Sequence, residues 1–224
     1  MINKLYGTSP LVYHAQGRLN YCPLWPVIEQ KCSTLKEIPS ELDIITFSNG
    51  NSYNSKVAGT FEKSVQHKCH VLGSDIVEWK NVLKIELLIK FLENSEKELV
   101  LVADSSDVVV YSFDGMIERF ISKDCDLLFN AEVNCWPVHD QQAIEKSRFS
   151  QPFCHLNAGA FIGRRNETLK FYKYCSSLVD EMMSGEQYYI KKAYVDWYPS
   201  ILIDDTCLIF QTLNGVNRNH FDVG

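Results

Sequence analysis

A chain of 224 residues with 46% hydrophobic content is long enough to bury one substantial core and too short for two independent enzyme domains. Its net charge of −6, with Lys and Arg dispersed along the chain, excludes a nucleic-acid footprint and leaves any anionic substrate in need of a metal or a local lysine. Leu99 to Ala103 and Val108 to Tyr111 are far shorter than a bilayer span, and Met1 to Pro10 lacks the charged start and apolar run of a leader, so no transmembrane segment is expected.

Residues 1–40 differ in style from the remainder. Pro10 to Tyr13 reads as a short strand ending in His14, followed by Ala15, Gln16 and Gly17, where glycine admits a close backbone approach. A Pro-bounded aromatic stretch and a polar link around Ser33 to Ser40 complete this part. From Glu41 onward apolar runs alternate with helical patterns, the signature of an α/β domain with a mostly parallel sheet and crossover helices. Leu42 to Phe47 is strand one, Ser55 to His67 a helix, and Cys69 to Leu72 strand two. Between Asn81 and Glu93 the residues Val82, Ile85, Leu88, Ile89 and Leu92 share one helical face, while Lys84 lies off it.

Leu99 to Ala103 follows as an unbroken apolar strand, as a central parallel strand requires, and runs into Asp104. Ser112 caps a helix through Ile121, and Asp126 to Asn130 and Ala158 to Gly163 are further strands. An amphipathic helix over Thr168 to Met183 presents Leu169, Tyr172, Cys175, Leu178, Val179 and Met182. Glu186 to Tyr194 is a shorter helix, and Cys207 to Gln211 is the last strand. The eight cysteines are scattered without a C-x-x-C pair, several within apolar runs, which disfavours structural zinc and fits a reducing, cytoplasmic location.

Ligands of open α/β sheets bind outside the carboxyl ends of the strands, which is where Asp104-Ser105-Ser106-Asp107 stands. Two aspartates three positions apart on a tight turn can aim oxygens at one hard cation, which neutralises a substrate diphosphate as it departs. The competing reading is a turn with solvated side chains. Such a cation needs further ligands, and His14, at the end of a strand, is the best placed of the six histidines.

The run L-V-L-V-A-D-S-S-D-V-V-V-Y from Leu99 to Tyr111 resembles the metal-binding strand and turn of the glycosyltransferase domain of procollagen lysyl hydroxylases, a domain of GT-A type. Asn130-Ala131-Glu132 with Cys135-Trp136-Pro137, the segment Leu156 to Gly163, and Asp205 to Gln211 follow in that family's order. The resemblance implies a single GT-A domain over 1–224, nucleotide-diphospho-sugar binding, and transfer of glucose or galactose from a UDP-sugar to a glycan or protein hydroxyl with Mn2+ or Mg2+. The family's closing H-x-x-G stretch resembles His14 to Gly17, which stands at the opposite end of this chain. The sequence therefore resembles a circular permutant, with residues 1–32 a displaced segment that completes the site, 33–40 a linker, and 41–224 the main body.

By the same resemblance Asp104, Asp107 and His14 are the metal ligands. Thr46 and Ser105 border the nucleotide, Trp79 stacks on uracil, and Lys84 stands beside the diphosphate. Trp136 forms a platform for sugar or acceptor, and Asn157-Ala158-Gly159 forms a small-residue turn beside the donor sugar, with Gly17 near by. Glu186-Gln187 aligns with an Asp-Gln pair, which makes Glu186, together with Asn157, the candidate for hydroxyl contacts or catalysis. Two rival functions are a metal-dependent phosphohydrolase, for which the Asp spacing is three where two is wanted, and a non-catalytic sugar-binding or protein-binding domain. No separate oxygenase domain or iron site is expected.

Overall fold

The computed structural model describes residues 1–16, 24–32, 37–49, 59–149, 152–181, 183, 185–215 and 218–222. Gly17, Met182, part of the 33–40 link and the beginning of the helix expected from Ser55 lie outside them. The body is a six-stranded sheet built from β3 (Leu42–Phe47), β4 (His70–Leu72), β5 (Leu99–Asp104), β7 (Leu127–Glu132), β8 (His155–Arg164) and β9 (Ile201–Ile203) in the order β4-β3-β5-β8-β7-β9. The ladders of β3 with β4 and β5, and of β7 with β9, are parallel, whereas β8 runs antiparallel to both its neighbours. The arrangement is that of a single GT-A-like α/β domain.

One face of the sheet is covered by α3 (Leu83–Leu92), α6 (Arg165–Ser177) and α7 (Glu186–Trp197), which bury Leu88, Phe171 and Ile190 against Val102, Phe129 and Phe161. On the other face α2 (Thr60–Ser64) and α4 (Met116–Ile121) close a second core around Leu101, Phe120 and Ile162. Each fully buried aliphatic or aromatic side chain there contributes about 1.5–3 kcal/mol. Among the described residues no helix is long and apolar enough to cross a membrane.

A second, three-stranded sheet holds the start of the chain in the fold. β2 (Val12–His14) lies between β10 (Phe210–Thr212), parallel to it, and β6 (Val108–Val110), antiparallel to it. Near by, β1 (Ile2–Asn3) pairs with β11 (Phe221–Asp222). Tyr13 points from β2 into a third cluster with Ile28 of α1 (Trp25–Lys31) and with Val109.

Several elements depart from the periodicity for identifiable reasons. The helix expected over Thr168 to Met183 begins earlier, at Arg165, and ends at Ser177, because the Tyr189 hydroxyl accepts from the backbone N–H of Asp180 and bonds Asp180 again, drawing the chain out of the helix. Ser112 does not cap α4: its hydroxyl accepts from the Asp114 N–H, and Gly115, at φ 69°, opens the helix. The strand expected from Cys207 starts at Phe210, because the buried Asp204 carboxylate gathers the N–H groups of Leu208, Ile209 and Phe210 into a turn in which Cys207 has φ 51°. β9 and β11 were not expected; both are too short to display a period.

A buried polar cluster ties α5 (Gln142–Arg148) to α7 and β8. Lys191 Nζ lies 2.9 and 3.0 Å from the two Glu145 oxygens, and His155 Nδ1 lies 2.6 Å from Oε2. Burial works against the charged Glu145, yet the hydrogen bond from His155 and the Lys191 ammonium hold its carboxyl below the ordinary value. Cys135 Sγ stands 3.3 Å from the same carboxylate, so the cluster anchors the Cys135-Trp136-Pro137 turn. Lys191→Met strips a buried carboxylate of its cation and is expected to cost about 3–5 kcal/mol, a fall in Tm on the order of 10 °C by circular dichroism.

Candidate functional site

The carboxyl ends of β3 and β5 open onto a cleft, and the architecture explains which side chains reach it. β5 ends at Asp104, the turn through Ser105 and Ser106 follows, and β6 begins directly after Asp107. Pairing of β2 with β6 sets His14 opposite Val108, next to Asp107, and the Ala15 N–H donates to the Asp107 carbonyl at 2.8 Å. A histidine from the start of the chain is thereby pinned over an acidic turn from its middle. His14 Nε2 is 3.4 Å from Asp107 Oδ2, and one ligand atom from each of His14, Asp104 and Asp107 lies within 4.8 Å of the others.

The imidazole is buried, which alone would lower its pKa, but Asp107, and behind it Asp104 and Glu132, outweigh burial and hold it above the ordinary value. Two carboxylates and an imidazole suit Mn2+ or Mg2+, cations that complete their shells with substrate oxygens and water. Gly159 leaves the space: a Cβ there would stand 2.3 Å from His14 Cε1 and 3.0 Å from Asp104 Oδ2. The residues present thus fit a bound divalent ion.

Gly159 reaches that spot through an irregularity in the sheet. The register of β7 with β8 shifts between Phe129, opposite Phe161, and Asn130, opposite Asn157, so Ala158, Gly159 and Ala160 have no partner on β7 and Gly159 lines the cleft. The small-residue turn inferred from the resemblance is therefore a bulge inside one long strand. Asn157 stays within it: its Nδ2 donates to Glu132 Oε1 at 3.1 Å, and its Oδ1 accepts from Gly159 N–H. The Ala158 N–H is taken by Gln187 Oε1 at 3.0 Å, which ties the bulge to the start of α7.

Lys84 meets the site from α3. Its Nζ lies 2.6 Å from Asp104 Oδ1 and 2.7 Å from Glu186 Oε1, so the ammonium bridges the acidic turn to the start of α7. Burial opposes its charge, but Asp104 and Glu186 push its pKa well above the ordinary lysine value. Glu186 is mostly buried, with its carboxylate on that ammonium.

The cleft has two connected parts. The smaller, 220 Å³, is walled by Phe47, Ser48, Asn49 and Trp79 and floored by Lys84 and the 104–107 turn, with Ser105 on its wall. The larger, 630 Å³, extends from His14, Asp104 and Asp107 past Glu132, Asn157 and Gly159 to Trp136, Glu186 and Tyr188. Trp136 is 61% exposed at its rim, its backbone oxygen held by Gln187 Nε2 at 2.7 Å. Thr46, like Ala158, is an expected site residue that lines neither part. It is fully buried, and its hydroxyl donates to the Ala103 carbonyl at 2.7 Å, so the cleft is bordered by its successors Phe47 to Asn49. Gly17 lies outside the described residues.

Glu132 received no role from the sequence, although it ends an apolar strand as Asp104 does. It is buried in the wall of the larger cleft, held by Gln16 Nε2 at 2.8 Å, Asn157 Nδ2 at 3.1 Å and Gln187 Nε2 at 3.2 Å. Burial raises its pKa above the usual carboxylate value. Among the described residues its hydrogen-bond donors are three amides, which leave this carboxylate able to take hydroxyl hydrogens from a ligand.

Over 163 residues, 66% of this chain and 21% of the relative, the sequence is 28% identical to a procollagen-lysine,2-oxoglutarate 5-dioxygenase of Drosophila melanogaster. Over 138 residues, 60% of this chain and 29% of the relative, it is 26% identical to the uncharacterized protein R699 of Acanthamoeba polyphaga mimivirus. The aligned part thus spans under a third of the length of either relative. The profile of the PLOD GT domain matches residues 45–222, a range that takes in the acidic turn, the β8 bulge and the start of α7 but not His14. A match of that extent carries more than half of the chain, and the chain belongs to the PLOD GT domain family of glycosyltransferases.

Proposed function

We propose that this domain transfers a hexose, glucose or galactose, from a UDP-sugar to a hydroxyl of a glycan or protein acceptor, with Mn2+ or Mg2+ held by Asp104, Asp107 and His14. The observation that carries the reading is the convergence of His14 with the two aspartates over a cleft that continues past Glu132 and Trp136. When bound, the cation would neutralise the diphosphate and stabilise the charge that develops on departing UDP.

The chain's own groups supply the remainder. Trp79 and Phe47 wall the smaller cleft, where an aromatic face suits uracil, and Lys84 stands between that cleft and the larger one, within reach of phosphate oxygens. Glu132, Asn157 and Gln187 line the larger part, where their acceptors and donors would orient sugar hydroxyls. Glu186 shares the Lys84 ammonium with Asp104; once that ammonium turns to phosphate, the Glu186 carboxylate is released to a sugar or acceptor hydroxyl. Trp136 offers an exposed ring at the acceptor side.

The proposal includes circular permutation. His14 stands before the residues that the family profile matches, and β1 pairs with β11, so the two ends of the fold adjoin, which is the condition under which permutation is sterically tolerated. A reducing, cytoplasmic setting is proposed as well, supported by the seven cysteines among the described residues, six of which are buried and none in a disulfide.

The test is calorimetric titration of UDP with and without Mn2+, followed by UDP release from a panel of UDP-sugars. Metal-dependent UDP binding and turnover of UDP-glucose or UDP-galactose are expected. No binding across the panel overturns the reading, binding without turnover over many acceptors selects the non-catalytic domain, and phosphate release from phosphomonoesters selects the phosphohydrolase.

A further inference from the structure

His14 has one nitrogen on the cation side and one turned away. Nε2 faces Asp107, and Nδ1 lies 3.3 Å from the amide of Asn130. With the ring in this orientation its Cε1 and Nδ1 edge stands against Gly159, where an added Cβ would lie 2.3 Å from Cε1, and the position of the ring proton decides which nitrogen can bind a metal. A metal needs a lone pair on Nε2, so the proton must reside on Nδ1, and Nδ1–H then needs an acceptor.

Asn130 offers that acceptor. It is wholly buried, and its Oδ1 is without a hydrogen-bond partner while Nδ2 stands against Nδ1. A half-turn of the amide exchanges its two ends and sets the oxygen against the imidazole nitrogen, which gives Nδ1–H its acceptor. Its position is set by the β7–β8 irregularity, which falls between Phe129 and Asn130. Resting on the glycosyltransferase reading above, we propose that Asn130 is a positioning residue that fixes His14 as its Nδ1–H tautomer through its amide oxygen and so directs the Nε2 lone pair at the cation.

The test compares Mn2+ affinity, by calorimetry on the protein without nucleotide, in the parent, Asn130→Leu and Asn130→Asp. Leucine fills the volume but accepts nothing, and a weakening of about 10–100-fold is expected. Aspartate keeps an acceptor and removes the donor, and binding at least as tight as the parent's is expected. A purely structural asparagine gives the reverse order, since a buried carboxylate is tolerated less well than a buried leucine. Equal affinity in parent and leucine variant, or equal weakening in both variants, overturns the proposal.

A second arm does not depend on any Asn130 variant folding. In the Mg2+-loaded parent, 15N spectroscopy of His14, assigned by its loss in His14→Gln, is expected to show a protonated Nδ1 and a bare Nε2; the opposite tautomer overturns the proposal. A parent that binds no divalent ion sinks both this inference and the function it rests on. A parent that binds Mn2+ with indifference to Asn130 sinks this one alone.

Discussion

Replacing Asp104 and Asp107 together by alanine is expected to abolish Mn2+ binding and to lower metal-stimulated UDP-sugar turnover about a thousandfold or more, with the fold retained. The magnitude follows from the several kcal/mol that a Lewis-acidic cation contributes to a departing diphosphate, each 1.36 kcal/mol being tenfold in rate. The fold should survive because Asp104 is partly exposed and the strands that flank the acidic turn are held by their own ladders, β5 with β3 and β8 and β6 with β2. With both acids gone Lys84 retains Glu186 at 2.7 Å, so no buried ammonium is stranded. Steady-state UDP release across Mn2+ concentrations, alongside a thermal melt, reads both halves of the expectation. Undiminished metal-stimulated turnover in a folded double variant removes the acidic turn from the mechanism.

Gly159→Ala is expected to be nearly as damaging to function although it adds one methyl group. The new Cβ would meet His14 Cε1 at 2.3 Å and both Nδ1 and Asp104 Oδ2 at 3.0 Å, so the imidazole or the bulge must move. His14 has little room to retreat, being buried on a strand held by β10 and β6 on either side. Overpacking a rigid site costs about 1–3 kcal/mol in stability, while displacing a metal ligand by as much as an ångström costs on the order of a hundredfold in rate. The two effects separate experimentally: Mn2+ affinity and turnover should fall steeply while the melting temperature moves only modestly. If the alanine variant binds Mn2+ like the parent, the His14 ring is not confined as described.

Much of the sheet was legible because its strands are apolar and bounded by polar breaks. Leu42–Phe47 and Leu99–Asp104 emerged at nearly their observed limits, and α3 followed from the spacing of Val82, Ile85, Leu88 and Leu92. The antiparallel course of β8 did not emerge, because strand direction depends on how chain connections pass around the sheet rather than on side-chain pattern. The Asp104 and Asp107 pair was readable from position alone, at the end of a buried strand. His14 was singled out by its place at a strand end, but the resemblance was needed to strengthen it, since one histidine among six carries little information about its partners in space.

Glu132 and Asn130 were hidden for a physical reason. Both belong to a strand whose apolar run, Leu127 to Phe129, reads as core, and only the shifted pairing with β8 reveals that its polar end enters the cleft. Thr46 shows the opposite error: a polar side chain at a strand end reads as a ligand contact, yet its hydroxyl is consumed by the neighbouring strand at Ala103. A single donor satisfied inside the sheet looks the same in sequence as one left for substrate.

The seating of β2 between β10 and β6 has a mechanical consequence. Asp104 and Asp107 belong to mid-chain and His14 to its opening residues, so an ion gripped by all three would close a long covalent loop, the kind of closure that most restricts an unfolded chain. Occupancy and folding are then linked, and ligand that binds only the assembled site adds its binding energy to the stability of the whole domain. The cation would act as a fastener as well as an electrophile, keeping the first strand docked whenever the site is loaded.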